Sequence, residues 1–198
     1  MGVGNANLAA LIGSRICHDL ISPIGAINNG LELLNMSGAP TGPEMGLIGE
    51  SVEHASARIR FFRVAFGAAG DQMLGPAEVQ SILGHLYDGG RLCVQWAVDS
   101  PVERAEVRLV FLALLCMESA LPYGGTISVS HLRSTWILEA TADRINMDGS
   151  LWSHLESATA AEDILPAQVQ FALLPLHAAD MGRGVTYDAT EMKLIVNL

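Results

Sequence analysis

The chain has no apolar run approaching the roughly 18 to 20 residues that cross a bilayer. It has no N-terminal charged region followed by an apolar core and a cleavage site, so it reads as carrying no signal peptide. Its three cysteines, Cys17, Cys93 and Cys116, show no paired spacing. An odd number without disulfide or metal logic is the pattern of reduced thiols, and it predicts a cytoplasmic protein. Basic residues are also scarce, 11 Lys and Arg against 21 Asp and Glu, for a net charge of −10. A phosphate backbone needs a basic face, so nucleic acid is not an expected partner, and neither is a membrane. Internal repeats and low-complexity tails are absent as well. What remains is apolar: 50% of the residues are hydrophobic, enough for a substantial core in one large or two small domains.

The most informative run is ICHDLISPIGAINNGLELL, from Ile16 to Leu34. Ile12, Ile16, Leu20, Ile24, Ile27, Leu31 and Leu34 recur at steps of four and three, which is one face of a helix. At about 100° per residue, His18 sits about 200° from both Ile16 and Leu20, away from that stripe. Asp19 stands beside it. A lone histidine on a helix is ordinarily a solvated residue, and His54, His85, His131, His154 and His177 are read here as surface or capping residues. The Asp19, Ser22 and Pro23 context sets His18 apart. Cys17 next to it suggests no metal, because neighbours on a helix diverge by about 100° and no third ligand is evident.

The first helix is expected from about Asn5 to Met36, within a boundary error of about two to four residues. SGAPTGPE then breaks it. Thr41 with Glu44 fits a capping box, and Pro43 suits a first helical turn. A second helix should run to about Ala68 (the same boundary error applies), with Ile48, Val52, Ala55, Ile59, Phe62 and Phe66 on its apolar face. Two long helices joined by a short turn make an antiparallel hairpin, and a lone hairpin buries two such stripes poorly. Dimerisation into a four-helix bundle solves that, through Ile12, Leu20, Ile27, Leu31, Ile48, Val52, Ile59 and Phe62. Gly67 to Pro76 reads as a boundary, giving domains 1–70 and 71–198. In the second, Ala77 to Tyr87, Glu103 to Leu121 and Pro166 to Met181 read as helices. Leu92 to Val98, Thr126 to His131, Trp136 to Ala142 and two segments in GVTYDATEMKLIVNL read as strands. The fold class is α+β: a helical hairpin, then an α/β sandwich with helices on one face of a mixed sheet.

His18, Asp19, Ser22 and Pro23, followed by AINNGLELL, resemble the phospho-accepting helix of two-component sensor histidine kinases. The chain as a whole resembles the ChpT-type histidine phosphotransferases, dimeric relatives of those kinases with a degenerate ATP domain. The resemblance implies a phosphorelay. His18 would take a phosphoryl group from a receiver-domain aspartate and pass it to another, with Asp19 assisting. The implied partners are receiver domains of a hybrid histidine kinase and of response regulators. Magnesium is expected on the receiver, and no cofactor on this chain.

A neutral imidazole nitrogen attacks an acyl phosphate without prior deprotonation, and the ordinary imidazole pKa of about 6.5 leaves one available near neutrality. An adjacent carboxylate can orient the ring or accept a proton. Transfer needs an open in-line approach. Ser14, Ser22, Gly25 and Asn29 all fall within about 40° of His18 on a helical wheel, and their small or polar side chains let a receiver approach closely. If the hairpin turns near Ala39, Arg58, Arg60 and Arg63 return to about the height of His18, since both helices rise about 1.5 Å per residue. Each reads either as a charge partner for a phosphoryl group or as part of a solvated face paired with Glu50 or Glu53.

The resemblance also marks what the second domain lacks. Where the kinase helix carries an asparagine before an alanine, this chain has Ser119 before Ala120, and Leu115 stands one turn earlier, where leucine cannot ligate magnesium. Asp143 holds the place of an adenine-binding acid, but the close glycines are missing. The segment expected to hold the glycine-rich loop, QFALLPLHAADMGRG, reads as an uninterrupted helix with Gly182 and Gly184 as its C-cap and turn. The expectation is a kept fold without nucleotide binding. Two other readings stay open: a divergent sensor kinase that still binds ATP, and a non-catalytic dimeric scaffold.

Overall fold

The computed structural model describes residues 3–37, 42–68, 70–156 and 164–198, with side chains throughout except for residues 3–12 and 35. Two helices come first, α1 (Val3–Met36) and α2 (Pro43–Ala65), packed as a hairpin. The expected capping box is not what starts α2. Gly42 is the N-cap, with no side-chain cap bond and Pro43 behind it; Thr41 lies outside the described residues. α2 also ends three residues early. Phe66 closes it, and Gly67 follows where a Cβ would run into the Arg63 carbonyl oxygen and Ser14 Oγ. A side chain there would collide with the end of α2 itself and crowd α1, so glycine suits the position.

The remainder holds β1 (Met73–Leu74), α3 (Pro76–Tyr87), β2 (Leu92–Trp96), β3 (Val102–Glu103), α4 (Arg104–Ala120), β4 (Gly125–Leu132) and β5 (Thr135–Thr141). Then follow α5 (Gly149–Trp152), α6 (Gln170–Asp180), β6 (Thr186–Ala189) and β7 (Lys193–Asn197). The main sheet runs β2-β4-β5-β7-β6; β2 pairs with β4 in parallel, and every other pair is antiparallel. Strands β1 and β3 form a separate antiparallel pair that the sequence pattern does not announce. The segment read as helical from Pro166 to Met181 opens with a 3-10 turn at Pro166–Gln168, and α6 then runs unbroken from Gln170 to Asp180.

Along β4, β5 and β7 one face is buried through Ile127, Val129, Trp136, Leu138, Ala140, Leu194 and Val196, while the alternate residues stay half-exposed. That alternation marks a sheet covered on one side. Helix α4 covers it. Its residues from Leu109 to Leu114 are at most 1% exposed, as befits a helix apolar all round. α6 and α2 pack on α4, and α3 on β2 and α2.

The structure differs from the wheel reading of α2. Ile48 is exposed, Val52 buried, and Ala55, Ile59, Phe62 and Phe66 only half-buried. The buried face is instead Ala57, Phe61, Val64 and Ala65, with the Phe61 ring stacked on Phe111 at 4.4 Å between centroids. These residues belong to the same hydrophobic core as α4 and the sheet. The carbonyls left unpaired at the end of α2 accept from two arginines of α4. Arg104 Nη2 donates to the Arg63 oxygen and Arg108 Nη2 to the Gly67 oxygen, each at 2.6 Å. Positive charge at a helix C-terminus also suits its dipole. The hairpin is thereby fixed to the α/β part by both apolar contact and charge.

Candidate functional site

His18 projects into solvent from α1, its side chain 81% exposed. Its Nδ1 lies 3.2 Å from Asp19 Oδ1. A carboxylate only accepts, so this contact puts the proton on Nδ1 and leaves the lone pair on Nε2, facing away. Asp19 is held in turn by Arg15, whose Nε donates to Oδ2 at 2.8 Å. The hydrogen bond from His18, then that from Arg15, keeps the Asp19 carboxyl below its ordinary range. Arg15 went unnoticed in the sequence, although its i,i+4 spacing to Asp19 was the available signal.

The four residues read as a docking stripe do not behave alike. Ser22 and Asn29 are exposed, one and about three helical turns along α1 from His18, and Gly25 between them is half-buried with nothing within 4 Å of where a Cβ would stand. Ser14 is not a free surface residue. Its Oγ accepts from the Ala68 amide at 2.9 Å and helps seat the end of α2.

The three arginines on α2 also part company. A cleft of about 430 Å³ at the base of His18 is lined by Ser14, His18, Arg63, Ala68, Gly70, Gln72 and Arg104. Arg63 is therefore brought to the site. Arg58 is not: it pairs with Glu118 at 3.6 Å and lies over the Phe62 ring. Arg60 does not line the cleft; it is half-buried and its Nε has no partner among the described residues. Arg104 was missed. It is only 8% exposed and comes from α4, far along the chain. Burial first, then the charge of Arg63, weakens its hold on its proton. Arg104 and Arg108, four apart in an otherwise apolar helix, were the signal. Cys17, by contrast, is buried, and burial raises its thiol pKa against the opposing charge of Arg63.

Leu115 and Ser119, read at the magnesium positions, and Asp143, read at the adenine position, do not line one cleft. Leu115 and Ser119 line an apolar cleft of about 400 Å³ with Phe62, Phe66, Glu118, Pro166, Ala167, Val169 and Gln170. Ser119 Oγ is spent on the Cys116 carbonyl at 2.6 Å. Asp143 lies in another cleft, with Arg91 and Lys193. Of the other histidines, His177 corrects the surface reading. Its side chain is 15% exposed, and burial, with the Arg108 charge second, pushes its pKa down to about 4. No helix among the described residues is long and apolar enough to cross a membrane.

Three comparisons bear on this arrangement. The family model of the histidine phosphotransferase C-terminal domain matches residues 76–193, a stretch that excludes His18. The protein phosphotransferase ChpT of Brucella abortus (strain 2308) is 40% identical over 126 residues, 62% of this chain and 60% of that protein. The chain thus matches about three fifths of that relative's length. The solved structure of a bacterial phosphotransferase is 29% identical and aligns over all of this chain and 97% of its own, with a TM-score of 0.69. With more than half of its length matched, and the same α/β fold on a helical hairpin, the chain belongs to the histidine phosphotransferase family.

Proposed function

We propose that this protein relays phosphoryl groups between receiver-domain aspartates through His18. The observation that carries the reading is the exposed imidazole whose Nδ1 is tied to Asp19 and whose Nε2 is unobstructed. In the step, the Nε2 lone pair forms a bond to phosphorus while the P–O bond to the partner's aspartate breaks. The carboxylate leaves with that electron pair. The Nδ1 proton stays between His18 and Asp19, and the imidazolium charge that develops is met by the Asp19 carboxylate. The reverse of the same step delivers the group to a second receiver. Ser22, Gly25 and Asn29 form the face on which the receivers dock, those of a hybrid histidine kinase and of response regulators. Magnesium belongs to the receiver.

The working species in this reading is a cytoplasmic homodimer. Ile16, Leu20, Ile27 and Leu34 on α1 and Leu47 and Ile48 on α2 are between 45% and 65% exposed in the single chain. Burying an aliphatic side chain is worth about 1.5 to 3 kcal/mol, so this row favours a four-helix bundle with a second copy. Residues 1–70 then act as the dimerisation and phosphotransfer unit and 71–198 as its companion, without nucleotide chemistry. Leu115 offers no ligand for magnesium, and the Glu118 carboxylate in the same cleft would repel nucleotide phosphates.

The test is incubation with a receiver domain carrying labelled aspartyl phosphate. Label is expected to move to this chain as an acid-labile, base-stable adduct, and not to its His18→Gln variant. Label on both proteins, or on neither, would overturn the reading. Incorporation of the γ-phosphate of ATP at His18 by the purified protein alone would replace it with the kinase reading.

A further inference from the structure

The cleft beside His18 is positively charged in a chain whose net charge is −10. Its charged lining residues are Arg63 and Arg104, and among the described residues no carboxylate lines it. Neither arginine forms a salt bridge among the described residues. Arg104 spends Nη2 on the Arg63 carbonyl, while its Nε is buried without a partner. A buried guanidinium N–H without an acceptor costs free energy, and the repulsion between the two neighbouring guanidiniums adds to it, since the Glu78 carboxylate acts on Arg104 more weakly than Arg63 does. An anion with several acceptor oxygens in the cleft would supply the counter-charge that neither arginine has at salt-bridge distance among the described residues.

On these grounds, and resting on the phosphotransfer reading of His18, we infer that Arg63 and Arg104 form an anion site that holds the phosphoryl group carried by His18. The site is built from both parts of the chain. Arg63 comes from the hairpin and Arg104 from the first turn of α4, and the Arg104–Arg63 carbonyl bond sets the distance between the two elements. This gives the α/β part a role in the chemistry that does not depend on nucleotide. The phosphoryl group passes from the receiver's magnesium and cations to a second cationic environment and back, so neither side traps it.

The test follows arginine Nε–H resonances in the labelled full-length protein in three states: alone, titrated with inorganic phosphate, and after His18 is phosphorylated by phosphoramidate, a small donor that needs no protein partner. The Arg104 and Arg63 signals, assigned with Arg104→Lys and Arg63→Lys, are expected to shift on phosphorylation. An unmoved Arg104 signal beside a phosphorylated His18 would overturn the inference and leave His18 as acceptor. If His18 accepts nothing from any donor, the relay reading falls, and the phosphate titration decides alone: a saturable shift at Arg104 supports the anion site, and none overturns it. Arg108 supplies the control, because it clamps the end of α2 through the Gly67 carbonyl yet does not line the cleft. Arg104→Lys should slow receiver-to-His18 transfer roughly tenfold or more, while Arg108→Lys at equal melting temperature should not. Equal losses in the two variants would reduce Arg104 to a clamp and overturn the site.

Discussion

Helices α1 and α4 are both rich in aliphatic side chains and differ in where those side chains go. In α4, Leu109, Val110, Phe111 and Leu112 are each fully buried between the sheet, α2 and α6. In α1, Ile16 is 54% exposed and Leu20, Ile27 and Leu34 nearly as much, although their spacing is equally regular. A helix wrapped on all sides can only hold the fold. A helix covered along one side keeps a second face for another molecule and a third for chemistry. His18 stands on the uncovered side of α1, and among the described residues the α/β part reaches toward it at the cleft of Arg63 and Arg104. The histidines repeat the contrast: His18 is open to solvent, while His177 against α4's Arg108 is closed in.

The sharpest way to break the comparison is to place the same charge on both helices. Leu112→Asp should leave no folded protein, since it buries a carboxylate without a partner where even truncation to alanine costs about 2 to 5 kcal/mol. Ile27→Asp should leave the chain folded and monomeric. Circular dichroism and light scattering read the two outcomes. A folded Leu112→Asp variant, or a monomeric wild type at micromolar concentration, would erase the distinction between a core helix and an interface helix.

Next comes bulk on the open face. Gly25→Trp should block transfer from a receiver by roughly a hundredfold or more, because it fills the approach to the imidazole. Gly25→Ala should be nearly neutral, since a Cβ there meets nothing within 4 Å. Single-turnover rates against one receiver separate them. Transfer at the wild-type rate with tryptophan in place would remove Gly25 from the docking face.

A smaller effect belongs to His177. Its imidazole is held near 4 in the fold, by burial first and the Arg108 charge second, with Asp180 opposing. Its unfolded value is about 6.5. Unfolding therefore takes up a proton below that value. The contribution to stability is complete above about pH 6.5 and is lost as the pH falls toward 4. Denaturant titrations from pH 7 to pH 4 should show this loss, and His177→Gln should flatten it. Parallel profiles in the two proteins would assign the acid sensitivity elsewhere.

The smallest expected effect is at Asp19. Asp19→Asn keeps the shape but removes the charge that meets the developing imidazolium, so transfer should slow by roughly tenfold without loss of the fold. Unchanged single-turnover rates would leave Asp19 a partner of Arg15 alone.

Much of this was legible in the sequence because helices and strands write their burial as periods. The span of α1, the identity of α4 and the pairing of β4 with β5 all follow from period and turn residues. The wheel reading of α1 failed in a specific way. It took one apolar stripe where the structure has two adjoining sectors, Cys17, Ile21 and Ile24 more covered, Ile16, Leu20 and Ile27 more open. Periodicity reports that a face avoids water, not which molecule covers it. The inner face of α2 was hidden for a related reason: Ala57, Phe61, Val64 and Ala65 pack on α4, a contact between residues far apart in sequence. Strands β1 and β3, two residues each, are too short to carry a period. At the site, His18 and Asp19 were visible because they are neighbours. Arg104 was not, because only the docking of α4 against the end of α2 carries it to His18. Sorting Arg63 from Arg58 and Arg60 likewise needed the direction in which each leaves α2.

The most direct measurement is phosphorus NMR of the protein after transfer from a phosphorylated receiver domain. The account predicts one new phosphoramidate signal at the shift of an Nε2-phosphorylated imidazole, absent from His18→Gln. A signal from the Nδ1 isomer, or phosphate on any other residue, would contradict it.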